Sequence, residues 1–195
     1  MSALPDLVSM FHALERLVEA MPEGTNAEII RGVYSMTPRP RVRHSVVHGN
    51  LYTVLRARLG GAEGSVPPDW LFLLEPEIRS ESAFSRLIPD VAGWRRSTTG
   101  WPGLDDALIE RMPEWVAEVV SEGAEKRDRE QKREAYGLMG VGWLWIVDPV
   151  ARTVEVHANE RGRMNLVATL AAADTLAVPP FDALEVPVAS LFAAE

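Results

Sequence analysis

The stretch PEWVAEVVS, residues 113–121, has the pattern of a buried β-strand with one acid inside it. Alternate residues of a strand point to opposite faces of the sheet. Trp115, Ala117 and Val119 thus share one face, and Val116, Glu118 and Val120 share the other. Because Glu118 is the only polar residue among these six, the pattern predicts a central strand whose two faces are both covered.

The carboxylate of Glu118 needs a partner in such a strand. An ionised acid that is removed from water destabilises a protein unless it is paired or binds a metal ion. The alternative interpretation is an acid near the end of the strand that reaches solvent or pairs with an arginine. The strand pattern alone leaves both interpretations open.

The composition is typical of a globular protein with one domain. The chain has 195 residues, of which 47% are hydrophobic and 25% charged, and it has no cysteine, so disulfides and thiolate metal sites are excluded. No apolar run approaches the roughly 18 residues of a membrane span. The first residues lack the basic segment of a signal peptide. We therefore expect a cytoplasmic protein with no membrane partner.

The net charge of −8 restricts the kinds of nucleic-acid binding that the chain can perform. Tight, non-specific binding to nucleic acid normally requires a basic face. A nuclease is still compatible with this charge, because net charge does not describe local patches and a bound metal ion adds positive charge.

Hydrophobic periodicity predicts an alternation of helices and strands. Helices are predicted over 7–20, 45–60 and about 124–139, a hairpin over 27–36 with its turn at Arg31–Gly32, and strands over 70–78, 86–94, 113–121, 143–149, 153–158 and 165–170. The strand at 86–94 is expected to be interrupted near Pro89, and the tail to pack as coil with a short helical end. This order predicts an α/β or α+β fold in which helices flank a mixed central sheet.

Asp90, in RLIPDVAGW, has a setting similar to that of Glu118 because apolar residues flank it. It also fits a turn residue that follows a proline, which is a common arrangement. Neighbouring strands lie about 4.8 Å apart, so two acids on adjacent strands can share one cation. Carboxylate oxygens suit a hard ion such as Mg²⁺.

The segment EGAEKRDREQKREAYGLMG, residues 122–140, predicts a highly charged helix on which Asp128, Lys132 and Tyr136 share one face. Most of its charges are typical of a solvated helix with ion pairs between residues four apart. Lys132 differs, because it follows Glu118 by one strand-to-helix connection and the helix is expected to pack back over the sheet.

Three segments in order, PDVAGW, PEWVAEVVS and RDREQKREAYGLMGVGWLWIVDP, resemble the Uma-type family of restriction endonucleases. That family belongs to the PD-(D/E)XK, or restriction-endonuclease-like, superfamily. The resemblance extends upstream to NAEIIRGVYSMTPRPRVRHSVVHGNL and downstream to RTVEVH and PFDALEV, so it covers the chain from about Met21 onward. It implies one nuclease-like domain over 1–195, with an N-terminal helix within 1–22 and a restriction-endonuclease-like core and C-terminal extension within 23–195.

The resemblance also assigns the site residues. The acid of the PD motif falls on Asp90 and the second acid on Glu118. The superfamily's usual lysine, two residues after the second acid, is replaced here by Val120. The Uma-type pattern D-x-x-x-K-x-x-x-Y falls instead on Asp128, Lys132 and Tyr136. A departure from the family is SEGAEKRD, where a turn similar to Ser-Pro-Ser-Thr is more usual.

Glu28 and His44 match further positions of the family. Glu28 is interpreted either as an additional acid near the metal or as a partly exposed hairpin residue. His44 is interpreted as a helix-start or core histidine and not as a ligand. His48 and His157 have no distinctive context, and no pair of histidines is expected to have metal-binding spacing.

The resemblance implies that Asp90 and Glu118, with a main-chain carbonyl near Val119, hold Mg²⁺ or Mn²⁺. Lys132 is expected to orient the attacking water or to stabilise charge on the phosphate. The expected activity is hydrolysis of DNA phosphodiester bonds.

Two alternatives remain open at this point. One is a catalytically inactive nuclease fold used for binding or dimerisation, which the acidic net charge favours. The other is a metal-dependent hydrolase with a substrate other than DNA. A homodimer is also expected, on the basis of an exposed strand edge near 143–158 and the six tryptophans.

Overall fold

The computed structural model describes residues 6–22, 25–36, 40–60, 69–121, 123 and 127–192. Within these ranges the chain forms α1 (Leu7–Glu19), β1 (Ala27–Ile30), β2 (Val33–Met36), α2 (Val42–Leu59), β3 (Trp70–Leu74), β4 (Ile78–Ser80), β5 (Ser85–Leu87), β6 (Val91–Arg95), β7 (Trp115–Val119), a π-helix (Arg127–Lys132), α3 (Arg133–Met139), β8 (Trp143–Asp148), β9 (Thr153–Glu160), β10 (Arg163–Ala171) and a 3₁₀ turn (Val188–Leu191). Helices and two β-sheets together give the mixed α+β class predicted from the sequence.

The strand β7, which contains Glu118, lies inside a six-stranded sheet with the order β10-β9-β8-β7-β6-β3. It pairs in parallel with β8 and antiparallel with β6. All five of its residues are buried. The central position predicted for this strand is therefore confirmed, as is the mixed character of the sheet.

The two faces of the six-stranded sheet carry different layers. On one face, Trp115, Ala117 and Val119 pack with α2 and with the C-terminal segment up to Phe192. On the other face, Val116 and Val120 pack with α3 and with apolar residues of the first five strands, including Ile30, Ile78 and Leu87. Glu118 follows the alternation of β7 and faces this second layer. Its carboxylate therefore points toward α3 and not toward α2.

A four-stranded antiparallel sheet, ordered β2-β1-β5-β4, forms part of the second layer. Two short segments, which we call crossovers, pass directly from one sheet to the other: one connects β3 to β4 and the other connects β5 to β6. The interruption predicted near Pro89 is confirmed, but it separates β5 in the small sheet from β6 in the large one. The single strand predicted over 70–78 is wrong, because the chain leaves β3 at Leu74 and enters the small sheet at Ile78 as β4.

The remaining elements follow the sequence prediction closely. The hairpin over 27–36 turns at Arg31–Gly32, where both residues have positive φ. The second helix begins at Val42, three residues before the predicted start, and so includes His44. The charged helix is a π-helix from Arg127 to Lys132 and an α-helix only from Arg133. Its predicted start at 124 lies outside the described residues.

The reasons given for a homodimer are contradicted by the topology. The segment 143–158 is not an exposed edge, because β8 pairs with β7 and β9, and β9 pairs in turn with β10. Four of the six tryptophans, Trp70, Trp94, Trp115 and Trp145, are buried in the core. The dimer itself stays a prediction. Among the described helices, none is long and apolar enough to cross a membrane.

Candidate active site

A cavity lies where the chain crosses between the two sheets. It is lined by residues from the loop before β1, the start of α2, the two crossover segments, the end of β7 and the π-helix. The crossovers are joined directly, since the N–H of Glu75 donates to the main-chain oxygen of Asp90 at 3.0 Å. Side chains from distant parts of the sequence therefore meet at one place. The charged and titratable ones are Glu28, His44, Glu75, Asp90, Glu118, Arg127 and Lys132.

Glu118 is buried and accepts from two groups on the helix that follows it. The Lys132 ammonium lies 2.9 Å from its Oε1, and the Tyr136 hydroxyl donates to the same oxygen. The side chains of Glu118 and Lys132 are each 4% exposed. The alternative of a solvent-facing acid is thus wrong, because Glu118 is buried and its described partners include a lysine and a tyrosine inside the core.

Glu28 is the second carboxylate that contacts Lys132. Its Oε1 lies 2.8 Å from the ammonium and also accepts from the N–H of Ile88 at 2.8 Å. The side chain is 2% exposed, so the interpretation as a partly exposed hairpin residue is wrong. The Lys132 ammonium also donates to the Ile88 carbonyl at 3.4 Å. Two acids and one main-chain carbonyl thus surround one buried cation.

Asp90 immediately precedes β6, at the end of the crossover from β5. Its Oδ2 accepts from the N–H of Val119 at 2.6 Å, and its Oδ1 lies 3.3 Å from Nε2 of His44. Burial raises the pKa of Asp90, but the hydrogen bond and charge of His44, the charge of Lys132 and the Val119 N–H together hold that pKa below its usual 3.8. The carboxylate is therefore ionised at neutral pH, as a metal ligand must be.

Two histidines of α2 contact Asp90, and the sequence prediction missed this role. His44 lies at the start of the helix and is buried, as predicted, but it also contacts the Asp90 carboxylate. Nε2 of His48 lies 2.8 Å from the main-chain oxygen of Asp90. Ligand atoms of His44, His48 and Asp90 all lie within 4.8 Å of one another. The prediction that no pair of histidines has metal-binding spacing is therefore wrong, because the i, i+4 spacing puts both imidazoles on one helix face.

The π-helix brings Lys132 into the cavity. Its middle is fixed by Arg129, which pairs with Asp148 at 2.7 Å and with Glu155, so it is tied to β8 and β9. A π-turn has a wider spacing than an α-helix and often occurs at functional sites. The Asp128 side chain, assigned by the family pattern, lies outside what the structure describes.

The cavity has the charge and the ligand chemistry that a divalent cation requires. Among the described lining residues, four acids face two permanent cations, Arg127 and Lys132, which leaves a formal charge of −2 when His44 is neutral. Carboxylate oxygens are the preferred ligands of Mg²⁺ and Mn²⁺. The cavity has a volume of about 40 Å³, which is enough for an ion that keeps some of its water. A divalent cation therefore fits the charge and the ligand types of the cavity.

The remaining histidines have different surroundings. His157 is buried, and its Nε2 lies 3.4 Å from Glu155. Burial lowers the pKa of His157, and the contact with Glu155 opposes that shift only in part. It does not line the cavity described above. His12 is exposed and pairs with Glu81.

A solved structure shares this fold. It is the crystal structure of a "putative nuclease belonging to DUF820" from Anabaena variabilis ATCC 29413, and it superimposes with a TM-score of 0.72 over 92% of this chain and 96% of that chain. The two sequences are 17% identical, so the likeness concerns the fold. Among curated proteins, none matches this chain.

The sequence resemblance is confirmed by a family model. The model named Uma2, described as "Putative restriction endonuclease", matches residues 8–189. The match covers nearly the whole chain, including every described residue that lines the cavity. The chain therefore belongs to the Uma2 family.

Proposed function

We propose that the chain is a divalent-metal-dependent endonuclease that hydrolyses DNA phosphodiester bonds at the cavity. The observation that carries the proposal is the arrangement around Lys132. A buried ammonium lies between Glu28 and Glu118, in the same cavity as the ionised Asp90. Membership of a family described as restriction endonucleases supports DNA as the substrate.

Asp90 and Glu118 are the proposed metal ligands, with a main-chain carbonyl near Val119. A divalent cation held there would polarise the phosphodiester and lower the pKa of a bound water. The crossover and β7 hold the two acids rigidly, because Asp90 is bonded to the Val119 N–H. Such rigidity matters, since displacement by about 1 Å can cost a factor of 100 in rate.

Lys132 is the proposed source of positive charge for the transition state. Glu28 and Glu118 fix its ammonium, so no reorganisation is needed when negative charge develops on the phosphate. Tyr136 donates to Glu118 and thereby positions that carboxylate. Arg127, which also lines the cavity, supplies a guanidinium suited to binding the DNA backbone.

The experiment is cleavage of supercoiled plasmid by wild type and by Asp90→Asn and Glu118→Gln variants. Wild type should cut with Mg²⁺ or Mn²⁺ and stop on addition of a chelator, whereas each variant should be slower by about 100-fold or more. Glu110→Gln is the matched control, because Glu110 is 68% exposed and does not line the cavity. Equal cleavage by all four proteins would refute the site assignment.

The same experiment separates the enzyme from its main rival, an inactive nuclease fold used for binding. The rival predicts no metal-dependent cleavage by wild type at any protein concentration, while DNA or a partner still binds. The net charge of −8 is compatible with either outcome, because the charge concerns the whole surface and not the cavity.

We also propose that residues 1–195 form one domain and that the chain forms a homodimer. Support for the dimer comes from α1, where Leu7, Met10 and Leu17 are each at least 48% exposed and lie, with Leu14, at heptad spacing. This is the pattern of a helix that pairs with another helix.

Light scattering after size-exclusion chromatography tests the dimer. Wild type should elute as a dimer, and Leu17→Glu should elute as a monomer, because a charge would be buried at the helix pair. Leu104→Glu is the control, since Leu104 is 96% exposed and lies outside α1. A monomeric wild type, or a dimer that survives Leu17→Glu, would contradict the proposal.

A further inference from the structure

His44 lines the Asp90 end of the cavity, and His48 lies beside it on the same face of α2. His44 and His48 are four residues apart, and their ring centroids are 6.0 Å apart. Both contact Asp90, one at the carboxylate and the other at the main-chain oxygen. The three ligand atoms lie within 4.8 Å of one another, so an ion that binds Asp90 lies within reach of two imidazoles.

The helix that carries the histidines is held firmly in the core. Val47, Leu51 and Leu55 of α2 are at most 1% exposed and pack on the face of the large sheet opposite Glu118. His44 itself is 7% exposed. The imidazoles are therefore positioned by a packed helix and not by a mobile loop, which is what a preorganised metal site requires.

We propose that His44 and His48 join Asp90 as ligands, so that the site prefers a first-row transition ion to Mg²⁺. This inference rests on the proposed function for the metal's role, but it concerns only which ion the chain selects. Mg²⁺ takes oxygen ligands and seldom binds imidazole, whereas Co²⁺, Ni²⁺ and Zn²⁺ bind imidazole well. Mn²⁺ accepts both kinds of ligand and gives a usable spectroscopic probe.

The contact between His48 and the main-chain oxygen of Asp90 supports this assignment. Histidines that bind metals commonly donate their second ring N–H to a backbone carbonyl or a carboxylate, which fixes the ring and its tautomer. The competing explanation is that both histidines only hold Asp90 in place by hydrogen bonds. In that case glutamine, which keeps a donor, should replace either histidine without changing which ion binds.

Calorimetric titration with Mg²⁺, Mn²⁺ and Co²⁺ tests the proposal in the absence of DNA. Wild type should bind Co²⁺ more tightly than Mg²⁺. His44→Gln and His48→Gln should each lose about 10-fold or more in Co²⁺ affinity, while Mg²⁺ affinity changes by less than about 2-fold. His12→Gln is the control, because His12 is 39% exposed, pairs with Glu81 and should change neither affinity.

Nitrogen hyperfine coupling to bound Mn²⁺ gives a direct second measurement. Wild type should show the coupling, and a variant with both histidines replaced should lose it while circular dichroism shows an unchanged fold. No coupling in wild type, or a parallel loss of Mg²⁺ and Co²⁺ affinity, would overturn the proposal. Failure of the nuclease proposal is distinguishable, because it would leave selective, histidine-dependent metal binding without DNA cleavage.

Discussion

Lys132 is the residue on which the electrostatics of the site depend. Its ammonium is buried and contacts two carboxylates, so it stabilises the negative charge of both. Burial of such groups is tolerated only when the pairing is complete, because an uncompensated charge in the interior is strongly destabilising. The same residue is therefore a structural requirement and a proposed catalytic group, and its variants need both stability and activity measurements.

Replacement of Lys132 by methionine should lower the free energy of unfolding by about 3–5 kcal/mol, because two buried acids lose their cation. Urea denaturation of wild type and Lys132→Met measures this change. Addition of Glu28→Gln to Lys132→Met should restore part of the lost free energy of unfolding, since one of the two uncompensated negative charges is removed. A double variant less stable than Lys132→Met would show that the ion pairs do not control stability here.

Tyr136 gives the protein a pH dependence in the alkaline range. Burial raises the pKa of Tyr136 well above its usual 10.0, and the charges of Glu118 and Glu28 raise it further. The unfolded chain ionises this tyrosine near its usual pKa, so the stabilisation is fully present below about pH 10 and is lost as the pH rises above it.

The free energy of unfolding, measured for wild type and Tyr136→Phe over this range, isolates the effect. The difference between the two proteins should fall by about 1.4 kcal/mol per pH unit above about pH 10. Tyr34 and Tyr52 are present in both proteins and cancel. A difference that is constant with pH would mean that Tyr136 ionises normally in the folded state.

At this scale the sequence predicted some site residues and missed others. Asp90, Glu118 and Lys132 were assigned from the resemblance, and they line one cavity. The strand pattern itself, which is a local property, predicts that Glu118 is a buried acid in need of a partner. His44 and His48 were missed as a pair because their significance depends on Asp90, which is over 40 residues away in the chain.

At the scale of elements, the helix that carries Lys132 and Tyr136 depends on close packing against the β9–β10 turn. A Cβ added at Gly137 would lie 2.6 Å from the main-chain oxygen of Gly162. The contacting atom belongs to the main chain, which cannot move aside without a cost in free energy. The absence of a side chain at Gly137 therefore sets how closely α3 approaches the sheet.

Gly137→Ala should destabilise the protein by about 1–3 kcal/mol, because α3 must shift to relieve the contact. Gly49→Ala is the matched control: Gly49 lies within α2, and no atom approaches its added Cβ within 4 Å. That control should gain about 0.5–1 kcal/mol from helix propensity. Thermal unfolding of both variants checks the pair, and equal effects of the same sign would contradict this account of α3.

Element types were predictable from the sequence, but the partners of the strands were not. Periodicity correctly predicts the hairpin at 27–36 and the interruption near Pro89, since both depend on neighbouring residues. The transfer of β4 and β5 to a second sheet depends on the long-range pairing of β5 with β1, which a local pattern does not encode. The π-turn of 127–132 likewise depends on Arg129 and its partners on β8 and β9.

At the scale of the whole molecule, the site lies at the junction of the two sheets. Glu28 comes from the small sheet, Asp90 and Glu118 from the large one, and Lys132 from the helix that connects β7 to β8. An acidic protein can bind DNA at such a place because the relevant potential is local and includes the bound metal ion. We propose that these groups act as one catalytic unit.

Plasmid cleavage tests this proposal. Rates are measured for wild type, Asp90→Asn, Glu118→Gln and the double variant. Groups that act as a unit are strongly non-additive, so removal of either one abolishes most of the function of both. We predict that the double variant, at a saturating Mn²⁺ concentration, cleaves no more slowly than the slower single variant. Losses that multiply in the double variant, or a wild type without metal-dependent cleavage, would contradict the account.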